Sequence, residues 1–223
     1  MLEIIFSDHY LILYVATIVA SILSYKKYFE SKLRFLPILL TYILLTEVLG
    51  LVIQLDPELN PFITGLYSDY NYIIYYTYSI IFFCYFFYIY WYYTSSKKIK
   101  NIIVYGGIAY LIIAIINAYF KSIITERQLF SYTYGSLLLI FSALNFIVEN
   151  KSNPTLFRRL LFWISTGLIT YQSIYFPINI VHSYITQENI DLYYQIAPFH
   201  KAAVVVLYSC FIIGFITMKP KIK

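Results

Sequence analysis

The chain has 223 residues, of which 61% are hydrophobic and only 12% are charged. Because a soluble domain carries about 25% charged residues, this composition excludes a water-soluble globular protein and indicates lipid as the solvent. The formal net charge is +5. The basic residues stand in short clusters beside apolar runs, and this pattern argues against nucleic-acid binding.

Seven apolar runs follow one another along the chain. A helix rises 1.5 Å per residue, so about 20 apolar residues cross the roughly 30 Å hydrocarbon core of a bilayer. Each run has about this length. We therefore predict an all-α fold, a polytopic bundle of seven transmembrane helices that forms a single domain over residues 1–223. The predicted spans are approximately 5–24, 35–53, 71–93, 101–120, 129–148, 160–179 and 199–218.

The basic residues are unevenly divided between the two sides that seven spans would create. Thirteen of the sixteen Lys and Arg fall on one side, and only Lys121, Arg127 and Lys201 fall on the other. Cytoplasmic loops of membrane proteins carry the excess of Lys and Arg. The pattern predicts an N-terminus outside and a C-terminus in the cytoplasm.

The second span, FLPILLTYILLTEVLGLVI, contains one carboxylate, Glu47. It lies about 18 Å from the cytoplasmic edge, at 1.5 Å per residue, and hence in the outer half of the membrane. A charge there costs at least ~2.5 kcal/mol, so the group should be protonated, paired or exposed to a wet cavity. Gly50, one turn further on, allows close approach of another helix. Two interpretations remain open, a ligand or proton site and a protonated Glu that only joins neighbouring helices.

The sixth span carries a polar stripe. Ser165, Gln172, Tyr175 and Asn179 recur at spacings that keep them on one helical face, which is typical of a face directed into a bundle. Gln172 has a depth similar to that of Glu47, and the two side chains would hydrogen bond if spans two and six were neighbours. A structural kink at Pro177, with all amides satisfied, explains the stripe equally well.

Further polar residues fall in the same outer half of other spans, at the start of span three and near the end of span four. Packing and interfacial belts are the alternative explanation for the tyrosines among them. Taken together, these residues predict a small cavity that is open to the outside. Its predicted ligand-binding residues are Glu47, Asn71, Tyr75, Asn117, Gln172, Tyr175 and Asn179.

The sequence lacks the common signatures of catalytic and metal sites. No HExxH, GxSxG, Gly-rich phosphate loop or pair of Asp within one span occurs. His9, His182 and His200 show no metal-ligand spacing, and Lys201 is placed too near the outer end of span seven for a Schiff base. We predict no catalytic residues, no metal and no cofactor.

Three segments carry a resemblance to a known group of proteins. They are TxxLLTEVLG in span two, NYIIYYTYSIIFF at the start of span three, and RRLLFWISTGLITY at the start of span six. With these segments the whole chain resembles small seven-helix membrane proteins of Bacteroidota that have no established activity. The resemblance supplies no catalytic residues. It implies a sensory or regulatory role in the bacterial cytoplasmic (inner) membrane, because such proteins are often encoded near sensor kinases.

Three functions are consistent with these patterns. The leading hypothesis is a sensory or regulatory protein that binds a small ligand or lipid in the outer-half cavity and acts through a cytoplasmic partner such as a sensor kinase. Its basic loops would also contact anionic membrane lipids. One alternative is a small secondary transporter or proton-coupled carrier that uses Glu47. The other is a structural membrane scaffold with no internal ligand.

Overall fold

A computed structural model describes residues 9–56, 58, 60, 71–182, 184 and 190–219 of the chain. Within these residues the fold is all helical, with seven long helices joined by loops and short helical turns. The long helices are α1 (His9–Leu23), α2 (Leu36–Leu55), α3 (Tyr72–Tyr93), α4 (Lys97–Phe120), α5 (Leu129–Asn150), α6 (Leu160–His182) and α7 (Ile190–Thr217).

Five of these helices are long and apolar enough to cross a membrane, namely α2, α3, α4, α5 and α7. The described part of α1 is a shorter apolar helix, and α6 contains several polar residues, among them Gln172 and Asn179. Large apolar side chains also point outward along the bundle, among them Ile38, Ile115 and Ile216, which are 67%, 71% and 70% exposed. Apolar surface of this kind needs lipid around it, and the protein is embedded in a membrane.

The helices close into a ring of six, with one helix outside it. The neighbours in the ring follow the order α1, α2, α3, α5, α6, α7 and back to α1. Helix α4 packs against α3 and α5, which also contact each other. It therefore lies on the periphery, and it buries the smallest share of its surface among the five membrane-crossing candidates.

The observed helix ends correct two predicted boundaries. Helix α7 begins at Ile190, nine residues before the predicted start at Phe199, and α4 begins at Lys97 instead of Asn101. Hydropathy marks only the apolar part of a helix, whereas the backbone stays helical through polar residues as well. At the start of α4, the carboxylate of Glu149 accepts hydrogen bonds from the backbone N–H groups of Ser95 (2.8 Å) and Ser96 (3.3 Å), which anchors this helix to α5.

The two ends of the bundle differ in charge and in packing. We call the end where α1 begins the N-terminal end, and the opposite end, which holds eleven of the fourteen described Lys and Arg, the basic end. Between the middle and the basic end lies a block of buried rings that we call the aromatic core. It consists of Phe82, Phe83, Phe86, Tyr90, Tyr110 and Phe146.

Close helix contacts hold this aromatic core together. The hydroxyls of Tyr90 and Ser165 share a hydrogen bond of 2.9 Å between α3 and α6. Gly135 of α5 lies directly against the rings of Phe83 and Tyr110, where a Cβ atom would approach both rings to 2.9 Å. Small residues at such positions let membrane helices approach each other closely.

Candidate functional site

A cavity of about 400 Å³ occupies the centre of the six-helix ring at the N-terminal end. All six helices of the ring contribute to its lining, and no described residue of α4 does. Its wall is dominated by tyrosine. The described tyrosines that line it are Tyr14, Tyr72, Tyr75, Tyr76, Tyr78, Tyr132, Tyr171, Tyr175 and Tyr208.

Glu47 lines the cavity from α2. The hydroxyl of Tyr75 donates a long hydrogen bond of 3.4 Å to Oε2 of Glu47. Within the part of the chain that the structure describes, the one ion pair joins Lys121 to Glu126, so Glu47 has no described cationic partner. The carboxylate therefore faces the cavity with a single weak hydrogen bond.

Gly50 shapes the wall next to this carboxylate. The ring of Tyr75 lies on the surface of α2 at Gly50, where an added Cβ would come within 3.1 Å of the Tyr75 Cζ atom. Asn71, at the start of α3, donates a hydrogen bond of 3.5 Å from Nδ2 to the carbonyl oxygen of Gly50. The absence of a side chain at Gly50 thus allows Tyr75 to reach Glu47.

A cluster of aromatic rings forms the opposite wall, where α5, α6 and α7 meet. Tyr171 and Tyr175 lie one helical turn apart and stack with centroids 5.3 Å apart and an interplanar angle of 17°. The edge of Tyr132 packs on Tyr175 at 5.4 Å, and the ring of His200 lies 4.6 Å from that of Tyr175. In another part of the wall, where α1 meets α7, the ring of Tyr14 packs on that of Tyr208 with centroids 4.2 Å apart.

Basic side chains also contribute to the wall of the cavity. Arg127, in the loop before α5, places its guanidinium over the ring of Tyr72 at 5.9 Å. His200 and Lys201 line the cavity from α7. The sequence placed these two residues at the outer end of span seven. Because α7 starts nine residues earlier than predicted, they lie well inside a helix.

The structure brings five of the seven predicted ligand-binding residues to this one cavity, namely Glu47, Asn71, Tyr75, Tyr175 and Asn179. Their positions agree with a shared site. Whether they bind a ligand stays a prediction.

Gln172 does not join Glu47. Its Oε1 atom accepts hydrogen bonds from Ser136 (2.9 Å) and Tyr132 (3.2 Å) on α5, and its side chain is fully buried. Helices α2 and α6 are not neighbours in the ring, so the condition for a Glu47–Gln172 hydrogen bond is not met. Gln172 therefore lies behind Tyr132, outside the lining.

Asn117 is also absent from the lining. Helix α4 lies outside the ring, and there Asn117 is buried with its Nδ2 atom 3.5 Å from the hydroxyl of Ser131 on α5. The structure does not bring Asn117 to the cavity, because its position near the end of span four predicted its depth in the membrane but not the order of the helices.

Several lining residues were not predicted from the sequence, among them Tyr14, Tyr132, Tyr171 and Tyr208. With 27 tyrosines in the chain, no pattern separated those in a cavity wall from those in a packed core. Arg127 could have been identified as a candidate lining residue, because it is one of only three basic residues assigned to its side of the membrane.

The arrangement provides an enclosed space with a carboxylate and many tyrosine rings in its wall. Among the described residues, no group of three or more His, Cys, Asp or Glu side chains is placed to hold a metal ion. The aromatic core fills the bundle below the cavity, with Phe83 and Phe86 fully buried. No family model, no curated protein and no solved structure matches the chain. What the cavity binds is therefore inferred from its own side chains.

Proposed function

We propose that this protein is a sensory or regulatory membrane protein that binds a small molecule in its tyrosine-lined cavity and acts on a cytoplasmic partner such as a sensor kinase. In this proposal all seven helices cross the bacterial inner membrane, with the N-terminus outside and the C-terminus in the cytoplasm. The observation that carries the proposal is the cavity of about 400 Å³ enclosed by six helices, with a carboxylate in its wall. Such a volume falls at the small end of ligand pockets.

The charge distribution supports the orientation. The basic end carries eleven described Lys and Arg, whereas the N-terminal end carries three. Lys32 lies over the ring of Tyr92 at 5.0 Å, and Lys100 lies 5.7 Å from that of Trp91. Basic and aromatic side chains together are typical of a membrane–water interface on the cytoplasmic side. With the basic end in the cytoplasm, the cavity opens to the outside.

The ring of helices provides a route from ligand to partner. Each helix that lines the cavity also continues toward the basic end, so a ligand that prefers one helix arrangement shifts the population of that arrangement. Helices α6 and α7 share the most extensive contact in the bundle and both reach the basic end. They are the elements through which we expect ligand binding to be sensed.

A proton-coupled carrier is the second candidate, and the position of Glu47 in the cavity wall favours it. A carrier needs a path to both sides of the membrane. In this conformation the aromatic core, with Phe83, Phe86 and Tyr90 fully buried, fills the bundle between the cavity and the basic end. This packing supports a receptor over a carrier. Proton flux into reconstituted vesicles that disappears in Glu47→Gln would favour the carrier.

Ligand binding is tested by filling the cavity. Purified protein in detergent is screened by thermal unfolding against a library of small water-soluble molecules, since a ligand at tenfold its Kd stabilises by about 1.4 kcal/mol. Ala197 lines the cavity on α7, whereas Ala202 on the same helix is exposed. We expect Ala197→Trp to abolish stabilisation by a hit and Ala202→Trp to keep it. A library without hits, or hits that survive in Ala197→Trp, would contradict the proposal.

The orientation is tested by labelling. Cys84 and Cys210 are replaced by Ala, and one cysteine is introduced at Thr125 near the N-terminal end or at Ser152 near the basic end. In cells with a permeable outer membrane, a membrane-impermeant maleimide should label Thr125→Cys and spare Ser152→Cys until the inner membrane is opened. The reverse pattern would overturn the orientation.

The regulatory role is tested by isolating the protein from native membranes after cross-linking. We expect a signalling protein such as a kinase to be cross-linked to residues of the basic end. Repeated isolation without any signalling partner would contradict the regulatory role and leave the binding role standing.

A further inference from the structure

The chemistry of the cavity wall indicates a class of ligand. We propose that the cavity binds a small organic cation, an amine or quaternary ammonium compound, with its charged nitrogen between the Glu47 carboxylate and the surrounding tyrosine rings. This inference rests on the proposed function, because it assumes that the cavity is a ligand site.

The state of Glu47 is the first argument. Its carboxylate has one long hydrogen bond, to Tyr75, and no cationic partner among the described residues. An uncompensated carboxylate inside a membrane protein is costly, and a cation beside it offsets part of that cost. A ligand with a positively charged nitrogen supplies this cation.

The tyrosines around Glu47 are the second argument. Glu47 shares the cavity lining with Tyr14, Tyr78 and Tyr208, which come from three different helices. Tyrosine rings attract a cation that lies within about 6 Å of their centroids, and several rings around one site form the kind of aromatic cage that recognises ammonium groups. The tyrosine rings and the Glu47 carboxylate therefore both attract the charged nitrogen of the ligand.

The basic side chains of the cavity wall limit what else the ligand carries. Arg127 packs on Tyr72 at the start of α3, and Lys201 lines the cavity from α7. These side chains disfavour a molecule with positive charges at both ends. They are compatible with an amine whose other end is neutral, aromatic or anionic.

The inference is tested with three probes of the same shape and different charge, namely phenethylamine, phenethyl alcohol and 3-phenylpropanoate. Their affinities for the purified full-length protein are measured by thermal unfolding at pH 7.5. We expect phenethylamine to bind at least tenfold more tightly than the other two. Glu47→Gln, which keeps an oxygen for Tyr75, should weaken the amine at least tenfold. Glu126→Gln, which removes an exposed carboxylate outside the cavity, should leave its affinity unchanged.

A second pair of variants tests the cage without touching Glu47. Tyr14 lines the cavity, whereas Tyr105 is 70% exposed on α4. We expect Tyr14→Leu to weaken phenethylamine and tetramethylammonium several-fold and Tyr105→Leu to have no effect. Comparison of these two variants tests whether the tyrosine rings bind the cation even if Glu47→Gln fails to fold.

The outcomes separate this inference from the proposed function. Binding of phenethylamine that is unchanged in both Glu47→Gln and Tyr14→Leu would overturn the inference. Tight binding of 3-phenylpropanoate that Arg127→Gln abolishes would also overturn it, while the cavity would remain a ligand site. If neither these probes nor the wider library bind, the proposed function fails as well.

Discussion

The two halves of the bundle use the same residue type in opposite ways. Toward the basic end, Tyr90 and Tyr110 are completely buried in the aromatic core, and the Tyr90 hydroxyl is satisfied by Ser165 at 2.9 Å. Toward the N-terminal end, Tyr75 and Tyr175 are only half-buried and surround an open cavity. The comparison shows that a tyrosine packs or lines space according to what faces it across the bundle.

The change from one half to the other is visible along α3. Its inward residues are Tyr75 and Tyr78 beside the cavity, and one turn later they become Phe82, Phe83 and Phe86. Phenylalanine needs no hydrogen-bond partner, so its rings interdigitate into a solid block. Tyrosine hydroxyls form hydrogen bonds to partners or to water, and an open cavity can hold such water.

The largest expected difference between the halves is in the cost of removing a ring. Phe86→Ala leaves a void in a filled core, and we expect it to lower the free energy of unfolding by about 3–5 kcal/mol. Tyr175→Ala enlarges a space that already exists, so we expect a smaller cost of about 1–2 kcal/mol, which comes from its lost contacts with the rings of Tyr132, Tyr171 and His200. Denaturant unfolding of both variants in the same detergent measures the difference. Equal losses would show that the two halves are packed alike.

Replacing a glycine with alanine should change the free energy of unfolding by less, and again by more in the aromatic core than at the cavity. Gly135→Ala drives a Cβ into the rings of Phe83 and Tyr110, which have no free space, and should cost about 1–3 kcal/mol. Gly50→Ala meets the end of the Tyr75 side chain, which can swing into the cavity. We expect Gly50→Ala to change stability by less than about 1 kcal/mol while it separates Tyr75 from Glu47 and alters ligand binding.

Gly107→Ala is the control for this pair, because its nearest neighbour outside its own helix, Phe87, would lie 3.6 Å from the new Cβ. With no clash and a better helix former, this variant should be as stable as the parent or more stable by up to about 1 kcal/mol. A loss similar to that of Gly135→Ala would refute the steric explanation.

The smallest expected effect is at the start of α4. Glu149→Ala removes the acceptor of the Ser95 and Ser96 backbone N–H groups and should cost about 1 kcal/mol, as for the loss of a helix cap. Hydrogen exchange should accelerate at residues 95–99 and stay unchanged around the cavity. Faster exchange at Tyr132 or Tyr175 would show that the two halves are coupled.

Much of the fold follows from hydropathy, and less of the site does. Apolar runs located every long helix, but the start of α7 was missed because Ile190–Pro198 is helical without being apolar. Depth along each span brought Glu47, Tyr75 and Asn179 to one level, and the structure places them around one cavity. Depth along the span did not predict that Asn117 and Gln172 lie outside the cavity lining, where their hydrogen-bond partners are on α5.

The sequence by itself determined that this is an all-helical protein of the membrane, and it located a carboxylate at cavity depth. The reason is that backbone groups in a bilayer must form their hydrogen bonds within each helix, and each apolar run must match the thickness of the bilayer. Only the tertiary structure decided that α4 lies outside the ring, that Gln172 turns to α5 and that the tyrosines of five helices enclose one space. Helix order depends on close fits between residues distant in sequence, such as Gly50 with Tyr75 and Gly135 with Phe83, and no local pattern encodes such fits.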